Sequence, residues 1–351
     1  MIETYQSRKI PILAIDLKGD PVLILAPLKT ILVLDKKKGE LRQMLAGYIL
    51  TKNASILGRS ANSFIFLLTY FPSWLMSISR TRLPFSINYQ LISWRKGIRY
   101  RFIDIETGKI LDWSKTGASD SLKREIDRRL QYADLIKMPK LRRYSQDGLY
   151  FEQNLVNGKS LLTQTKNKDR VETALASAFQ QLCKLYRPTL AKVNAADYYN
   201  HLTDGVLSSR HISELDRKAI ATLVNDNQSI PEKLYLCLVH GDINLGNLVL
   251  DSKKQLFIID WEESQQLSIT HDYFNMLGFL QHIHKLESVN FGMDTVSGFF
   301  GEILALDDPH LIDFYQALYF LERLKMWLEQ PTKDENWFRI LLHMIKQRHR
   351  K

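Results

Sequence analysis

The stretch that decides the fold spans residues 234–263 and reads LYLCLVHGDINLGNLVLDSKKQLFIIDWEE. Its first apolar run, 234–239, predicts a strand that ends at the polar sequence 240–242. Two further apolar runs flank the turn-forming residues 251–254, and the second of them ends at Asp260. The stretch therefore predicts a strand, a polar loop and a hairpin that returns the chain to a second acidic position.

The polar residues of this stretch suit phosphoryl transfer from a nucleotide. That reaction needs a carboxylate that accepts the proton of the attacking hydroxyl, and oxygen ligands for magnesium. Asp242 is the candidate base, and Asn247 and Asp260 are the candidate metal ligands. His240 is the candidate residue that orients the loop through hydrogen bonds to the backbone. The alternative is a polar turn whose Asp and Asn side chains only cap the backbone.

The motif His240-Gly241-Asp242 with Asn247 five residues later, followed by IIDWE at 258–262, resembles the signature of the aminoglycoside phosphotransferase and choline kinase family. Members of that family are small-molecule relatives of protein kinases. The resemblance implies a protein-kinase-like, two-lobed α+β fold with an antiparallel small-lobe sheet and a mainly helical large lobe. It also implies ATP and Mg²⁺ as cofactors, with Asp242 as catalytic base and Asn247 and Asp260 on the metal.

Three regions follow along the chain. Residues 1–85 are predicted to be an N-terminal extension of unassigned role, with strands at 10–17 and 22–34. Residues 86–157 are predicted to form the small lobe, since short strand-like runs are followed by a helix at 122–132. Residues 158–351 are predicted to form the helical large lobe that contains the catalytic loop.

The resemblance also implies nucleotide-binding residues in the small lobe. A kinase holds the phosphates with a strand lysine that pairs with a helix glutamate. Asp112 stands where that lysine is first expected, so Lys115 is the preferred candidate, Lys109 the fallback, and Glu125 the partner. Ordinary surface charges are the alternative for both members of the pair. The hinge residues that would bind the adenine edge are Glu152, Asn154 and Leu155.

Two further acids follow the metal-ligand candidates. Asp272 resembles a family aspartate that braces the catalytic loop, and a helix N-cap is the alternative. Glu262 matches a position where choline-kinase-like members carry an acid, which could bind metal or a cationic acceptor or could simply be solvated. Helices predicted at 273–286, 296–306, 310–329 and 335–350 would, by the same resemblance, build the acceptor pocket.

Composition bounds the class of protein. With 351 residues, 45% of them hydrophobic and 25% charged, the chain is long and apolar enough for a folded globular protein of two or three domains. Its two cysteines, Cys183 and Cys237, offer no disulfide framework or zinc spacing, which favours a reducing compartment. The net charge of +10 favours anionic partners, although no nucleic-acid-binding module is recognisable.

The first residues do not have the pattern of a secretory signal, so a cytoplasmic location is expected. The apolar run at 64–78 is too short to span a bilayer and contains Pro72. Burial in the protein is one reading of this run, and peripheral contact with a membrane is the other.

The leading functional hypothesis is therefore an ATP-dependent kinase that phosphorylates a hydroxyl of a small molecule or glycan, with a lipid-linked or cell-envelope sugar as one acceptor. No specific nucleic-acid partner is expected. The alternative is a kinase-like scaffold that binds nucleotide or a partner without turnover.

Overall fold

The computed structural model describes most of the chain from residue 107 onward and four short strands before it. The described residues are 22–25, 30–33, 91–95, 99–104, 107–114, 119–226, 230–284, 286, 300–301, 304, 309–330 and 335–348. Several predicted features lie outside them, namely the strand at 10–17, the apolar run at 64–78, Lys115 and most of the helix at 296–306. Helices and strands are numbered below over the described residues.

The chain divides into two compact units, of which the first comprises Met1–Lys123 and Lys140–Asn157 and the second Arg124–Pro139 and Gly158–Lys351. The first unit contains one seven-stranded sheet, in which all pairings are antiparallel and the order is β1-β2-β3-β4-β5-β7-β6. Its strands are β1 (Val22–Leu25), β2 (Thr30–Val33), β3 (Leu91–Arg95), β4 (Arg99–Asp104), β5 (Lys109–Ser114), β6 (Leu141–Tyr144) and β7 (Tyr150–Asn154). Helix α1 (Asp120–Tyr132) follows β5 and crosses from the first unit to the second.

The N-terminal extension contributes two strands to this sheet. The prediction of one strand over 22–34 is wrong, because β1 and β2 form an antiparallel pair in register from Val22↔Val33 to Leu25↔Thr30. Pro27 lies between them in the sequence, and proline cannot donate a backbone hydrogen bond to a ladder. Strand β2 in turn pairs with β3, so the extension and the predicted small-lobe strands share one sheet.

Asp112, which occupies the position where a lysine was expected, is buried in β5 with none of its surface exposed. Both of its carboxylate oxygens accept from Nε of Arg101, at 2.9 and 3.1 Å. Arg101 is its direct cross-strand partner in β4. The acid is therefore explained by a buried ion pair within the sheet, where removing one partner would leave an uncompensated charge.

The second unit is mainly helical and contains two three-stranded sheets, ordered β13-β10-β9 and β12-β11-β8. Together with the first unit this confirms the α+β prediction. The strands are β8 (Gly158–Ser160), β9 (Ala191–Asn194), β10 (Lys233–Val239), β11 (Leu248–Asp251), β12 (Leu256–Ile258) and β13 (Gln265–Ser268). The helices are α2 (Lys168–Thr189), α3 (Ala195–Leu207), α4 (Glu214–Asn225), α5 (His271–Gly278), α6 (Pro309–Glu329) and α7 (Glu335–Arg348).

Helix α2 contributes one whole face to this unit's core. Its apolar residues recur at helical spacing, and Leu175, Phe179 and Leu182 are almost completely buried. The helix continues through Pro188 and ends at Thr189. Thr189 Oγ1 donates to the carbonyl of Leu185 at 2.8 Å, which stabilises the last turn around the proline.

The predicted helix at 273–286 is not one regular helix. Helix α5 ends at Gly278, and Phe279–Ile283 forms a π-helical turn. His284 N–H donates to Phe279 O at 2.9 Å, a bond that spans five residues instead of four. Such turns recur at functional sites, and an apolar pattern with a 3.6-residue period does not predict them. None of the helices in the described residues is long and apolar enough to cross a lipid bilayer.

Candidate active site

The polar loop at 240–247 begins where strand β10 ends. β10 pairs on one side with β9 and on the other with β13, and its last four residues are buried. Its buried side chains fix the strand, so the loop starts from a rigid base. The loop ends where β11 begins, and the β11–β12 hairpin then leads to Asp260.

His240 connects the loop to the end of the hairpin. Its Nε2 donates to the carbonyl of Ile259 at 2.9 Å, and its Nδ1 accepts from the backbone N–H of Asp242 at 3.3 Å. The ring is fully buried and packs edge-on against Trp261, with 4.6 Å between the centroids. The two opposite roles of its nitrogens define a single neutral tautomer that holds loop and hairpin together.

Gly241 adopts a backbone conformation that requires glycine. Its φ is +82°, and a Cβ placed on it would lie 2.4 Å from the carbonyl oxygen of Glu263. The chain therefore passes the residues after Asp260 too closely for any side chain at this position.

Replacing Gly241 with Ala is expected to lower the free energy of unfolding by about 2–4 kcal/mol, since a strained φ and a backbone clash combine. Urea unfolding followed by circular dichroism measures this. Gly205→Ala is the matched control, because a Cβ there meets no atom within 4 Å and its helical site favours alanine. A Gly241→Ala protein as stable as the unchanged chain would contradict the close approach.

Two asparagine amides hold the backbone and side chain of Asp242. The Nδ2 groups of Asn244 and Asn247 each donate to Asp242 O at 2.9 Å, and each lies 3.4 Å from Asp242 Oδ2. Asn244 was not identified from the sequence. The sequence signal for this residue is an Asn two positions before a glycine, which favours an Asx turn. In the structure the N–H of Gly246 donates to Asn244 Oδ1 at 2.8 Å in such a turn.

The hairpin brings Asp260 back to this loop. Ile259 N–H donates to Asn247 O at 3.0 Å, immediately before Asp260. Asp260 itself has φ +72° and ψ +59°, a left-handed conformation that is uncommon for a residue other than glycine. Such conformations persist where surrounding contacts impose them, and they cluster at functional sites.

Asp242 lies in a strongly acidic environment. Burial is the largest cause that raises its pKa, which reaches about 7, and the carboxylates of Asp260, Glu263 and Glu262 raise it further. Arg323 acts in the opposite direction. The structure thus brings Asp242 and Asn247 into contact, and Asp260, Glu262 and Glu263 lie within electrostatic range of Asp242.

The side chains present fit a magnesium ion. The donation from Asn247 Nδ2 leaves its Oδ1 available, and Asp260 supplies a carboxylate beside an excess of negative charge. Mg²⁺ prefers hard oxygen ligands and is usually held by one or two carboxylates together with substrate phosphates and water. Within the described residues, no three His, Cys, Asp or Glu side chains are grouped so that they could hold a metal by themselves, so phosphates and water would supply the remaining ligands.

Asp272 supports the loop from α5. Its carboxylate is buried and accepts hydrogen bonds from His240 N (2.8 Å), Gly241 N (3.0 Å) and Tyr186 Oη (2.8 Å). The N-cap of α5 is Thr270, so Asp272 braces the loop instead of capping the helix. The sequence offered no sign that Tyr186, on α2, takes part.

The other face of the loop meets α6. Arg323 Nη1 donates to Gly241 O at 2.6 Å, and its guanidinium lies 5.1 Å from the Trp337 ring centroid. The neighbouring Glu322 accepts from Ser268 N–H at 2.7 Å and contacts His271 Nδ1 at 2.6 Å. Neither α6 residue was identified from the sequence.

The predicted nucleotide-binding residues have structural partners of their own. In the first unit, Glu152 pairs with Arg143 at 2.7 Å, while the N–H groups of Asn154 and Leu155 donate to Lys140 O and Gly108 O at 2.9 and 2.8 Å. In the second unit, the buried Glu125 pairs with Arg129 at 2.5 Å. The described N–H groups at the predicted hinge are thus already engaged, and the nucleotide-binding roles of these residues stay predictions.

A cavity of about 770 Å³ lies among the helices of the second unit. Side chains from α4, α5, the π-helical turn, α6 and α7 line it, including Thr222, Gln281, Gln316, Tyr319 and Gln347. Tyr319 Oη donates to Asn275 Oδ1 at 3.2 Å, and Asn275 Nδ2 donates to Ile243 O at 2.8 Å. The cavity wall is therefore connected by hydrogen bonds to the residue that follows Asp242.

Comparison with known proteins gives one family match. A model described as the phosphotransferase enzyme family (APH) matches residues 100–298, which is more than half of the chain. A comparison with curated proteins found no match.

Several solved structures share a distant likeness. A ternary complex of a thermostable mutant of aminoglycoside phosphotransferase APH(4)-Ia with AMP-PNP and hygromycin B has 13% identity and a TM-score of 0.49, covering 73% of this chain and 91% of that one. A glucosamine kinase in complex with glucosamine, ADP and inorganic phosphate has 13% identity and a TM-score of 0.46, covering 73% and 81%. Choline kinase LicA from Streptococcus pneumoniae has 12% identity and a TM-score of 0.42, covering 78% and 96%.

Proposed function

We propose, since the chain belongs to the phosphotransferase enzyme family, that it transfers the γ-phosphoryl group of ATP to a hydroxyl group of a small molecule. The observation that supports this best is the loop geometry. Asp242 lies against Asn247 and within electrostatic range of Asp260. A base, an amide oxygen and a second carboxylate are what positioning and charge stabilisation in phosphoryl transfer require.

In the proposed reaction, Asp242 accepts the proton of the acceptor hydroxyl as its oxygen attacks the γ-phosphorus. The bond from that phosphorus to the oxygen bridging it to ADP breaks, and the proton remains on Asp242 until it passes to solvent. A carboxylate whose pKa is raised to about 7 is a stronger base than an ordinary aspartate and suits catalysis near neutral pH. His240 and Asp272 keep the backbone on either side of Gly241 in place during this step.

Asn247 Oδ1 and the Asp260 carboxylate would hold the metal. When bound, Mg²⁺ supplies positive charge that neutralises the nucleotide phosphates. The acidic environment around Asp242 favours such a cation, since the surrounding carboxylates otherwise repel the triphosphate. Lys115, Glu125, Glu152, Asn154 and Leu155 remain candidate nucleotide contacts.

The acceptor we propose is a polyhydroxylated small molecule such as a sugar. The cavity in the helical unit supports this, because glutamine amides and a threonine hydroxyl beside aromatic rings suit ligands with several hydroxyl groups. Two hydrogen bonds, from Tyr319 to Asn275 and from Asn275 to the carbonyl of Ile243, connect the wall of the cavity to the residue after the proposed base. A lipid-linked or cell-envelope sugar is the finer proposal, supported by the net charge of +10 and the apolar run at 64–78.

The test is a screen of sugars, amino sugars, choline and lipid-linked sugars with radiolabelled ATP and Mg²⁺, followed by mass analysis of the product. Asp242→Ala is expected to lower the rate by roughly 10²–10⁴-fold while ADP binding is retained, because only the base is lost. Equal rates for Asp242→Ala and the unchanged chain would show that Asp242 is not the catalytic base. Nucleotide binding with no product from any acceptor would favour the scaffold alternative.

A further inference from the structure

A chain of two hydrogen bonds leads from the cavity in the helical unit to the catalytic loop. Tyr319, which lines the cavity, donates its hydroxyl proton to Asn275 Oδ1 at 3.2 Å. Asn275 Nδ2 donates to the carbonyl of Ile243 at 2.8 Å, and Ile243 directly follows the proposed base Asp242. Asn275 is completely buried, and only 1% of the surface of Tyr319 is exposed. Buried polar groups are costly to leave unpaired, so these two bonds are a fixed part of the fold.

The backbone determines the direction of both hydrogen bonds. A carbonyl oxygen can only accept, so the side chain of Asn275 must turn its NH₂ group towards Ile243 and its Oδ1 towards Tyr319. Because Oδ1 can also only accept, the hydroxyl proton of Tyr319 is committed to that bond. The lone pairs of the Tyr319 oxygen are then the part of this hydroxyl that can meet a ligand. A ligand group that bonds to this oxygen must therefore donate, as a sugar hydroxyl does and a carboxylate or ketone cannot.

The position beside the Tyr319 hydroxyl is occupied by a glycine. Gly278 lines the cavity at the end of α5, and a Cβ placed on it would lie 3.9 Å from Tyr319 Oη. The tyrosine ring packs against His271 and Phe274 of the same helix, with centroid distances of 5.2 and 6.0 Å. The hydroxyl is thus held in place by ring packing and by Asn275, while Gly278 adds no side chain beside it.

We propose that the oxygen of Tyr319 accepts a hydrogen bond from a hydroxyl group of a sugar acceptor, and that Asn275 is the positioning residue that connects this contact to the loop carrying Asp242. This inference rests on the proposed function and deepens it, because it assigns one substrate contact and the kind of group that makes it. An acceptor held by the chain that also holds Ile243 keeps a constant position relative to the base, as attack on the γ-phosphorus requires. Tyr319 should therefore act on acceptor binding and Asn275 on turnover.

The experiment compares phosphoryl transfer from radiolabelled ATP, with Mg²⁺ present, to D-glucose, D-galactose and D-glucosamine and to the monodeoxy analogues of each sugar. Tyr319→Phe is expected to raise KM for the parent sugar roughly tenfold with kcat almost unchanged, because one hydrogen bond to the substrate is lost. One monodeoxy analogue, which lacks the donating hydroxyl, should have the same KM with both proteins. Asn275→Leu, a change of similar volume, is expected to lower kcat roughly tenfold, because the carbonyl of Ile243 loses its link to the cavity wall.

Tyr315→Phe is the matched control for the loss of a buried hydroxyl. Tyr315 lies on the same helix and is as buried as Tyr319, but it is not among the residues that line the cavity. Its substitution should leave KM and kcat unchanged for every sugar. If Tyr319→Phe does not fold, Gly278→Ala takes its place, because it adds a methyl group beside the Tyr319 hydroxyl in a helix that favours alanine. In that protein KM should rise more for the parent sugar than for one of its analogues, and an equal rise for all of them overturns the contact.

The remaining outcomes separate this inference from the proposed function. A folded Tyr319→Phe protein with unchanged KM for every sugar overturns the inference and leaves phosphoryl transfer intact. An equal loss for each deoxy analogue in both proteins also overturns it, since no hydroxyl then depends on Tyr319. An unchanged kcat in Asn275→Leu overturns the positioning role. If the unchanged chain phosphorylates none of these sugars, the proposed sugar acceptor and the inference fail together, while ATP hydrolysis that is lost in Asp242→Ala would show that the phosphotransferase chemistry stands.

Discussion

Replacing Asp272 with Asn is expected to lower the free energy of unfolding by roughly 3 kcal/mol, because a buried acceptor of three hydrogen bonds becomes partly a donor. Asp272 Oδ2 accepts from His240 N and Tyr186 Oη, and Oδ1 accepts from Gly241 N. In asparagine an NH₂ group replaces one of the two oxygens. In one orientation this NH₂ faces the N–H of Gly241, and in the other it faces the N–H of His240 and the hydroxyl of Tyr186. No rotation of the side chain avoids a buried donor–donor contact.

Urea unfolding gives the free energy, and Tyr186→Phe is the matched control. That substitution removes one of the three donors and leaves both loop N–H groups paired, so a loss of about 1 kcal/mol is expected. Removing a buried negative charge by itself favours the Asp272→Asn protein. The loss of three charge-assisted hydrogen bonds is expected to lower the free energy of unfolding by more than this gain. An Asp272→Asn protein within about 0.5 kcal/mol of the unchanged chain would show that the loop does not depend on this carboxylate.

The hairpin after the loop could be predicted from the sequence because its signals are local. Short apolar runs around Asp251 and Lys254 indicate two strands and a turn, and the structure has β11 and β12 with Leu250 paired to Leu256. Lys254 indeed adopts a positive φ of 60° in that turn. Spacing along one continuous stretch was enough to bring Asp260 back towards Asn247.

The supports of the loop could not be predicted in this way. Arg323 is 82 residues from the carbonyl it holds, and Tyr186 is 86 residues from the carboxylate it contacts. Both lie on helices whose patterns indicate burial, and burial does not specify a hydrogen-bond partner. The resemblance drew attention to Asp272 because it lies just after the motif, whereas no local pattern indicated which α2 or α6 residue would contact the loop.

Asp112 shows a different limit of sequence reasoning. An acid within an apolar strand indicates a disturbed pattern, but the strand order that places Arg101 opposite it depends on the whole sheet. Pro27 is a local signal that residues 22–34 form two strands instead of one. The nearly continuous apolar run around it favoured the prediction of a single strand. The π-helical turn after Gly278 has no sequence signal that we recognise.

Asp242→Asn is expected to make the folded protein more stable at neutral and alkaline pH while removing the proposed base. The pKa of Asp242 is about 7 in the folded state, against 3.8 for an exposed aspartate. Between these two values the folded state retains a proton that the unfolded state has lost, so stability falls as the pH rises through this window. A shift of this size corresponds to about 4 kcal/mol, and the partial exposure of the side chain reduces our expectation to about 2–3 kcal/mol.

Asparagine keeps the shape of the side chain without the charge, so the difference should vanish below about pH 4 and be complete above about pH 8. Thermal unfolding of both proteins across this range, without metal or nucleotide, measures it. Asp216→Asn is a control of the opposite kind, because that carboxylate pairs with Lys346 at 3.1 Å and its loss should not stabilise the protein. An Asp242→Asn protein that is less stable than the unchanged chain at about pH 8 would contradict the prediction. It would mean that the hydrogen-bond donors around the carboxylate stabilise its charged form by more than burial and the neighbouring acids destabilise it. The Asp242 carboxylate would then be a favourable part of the fold.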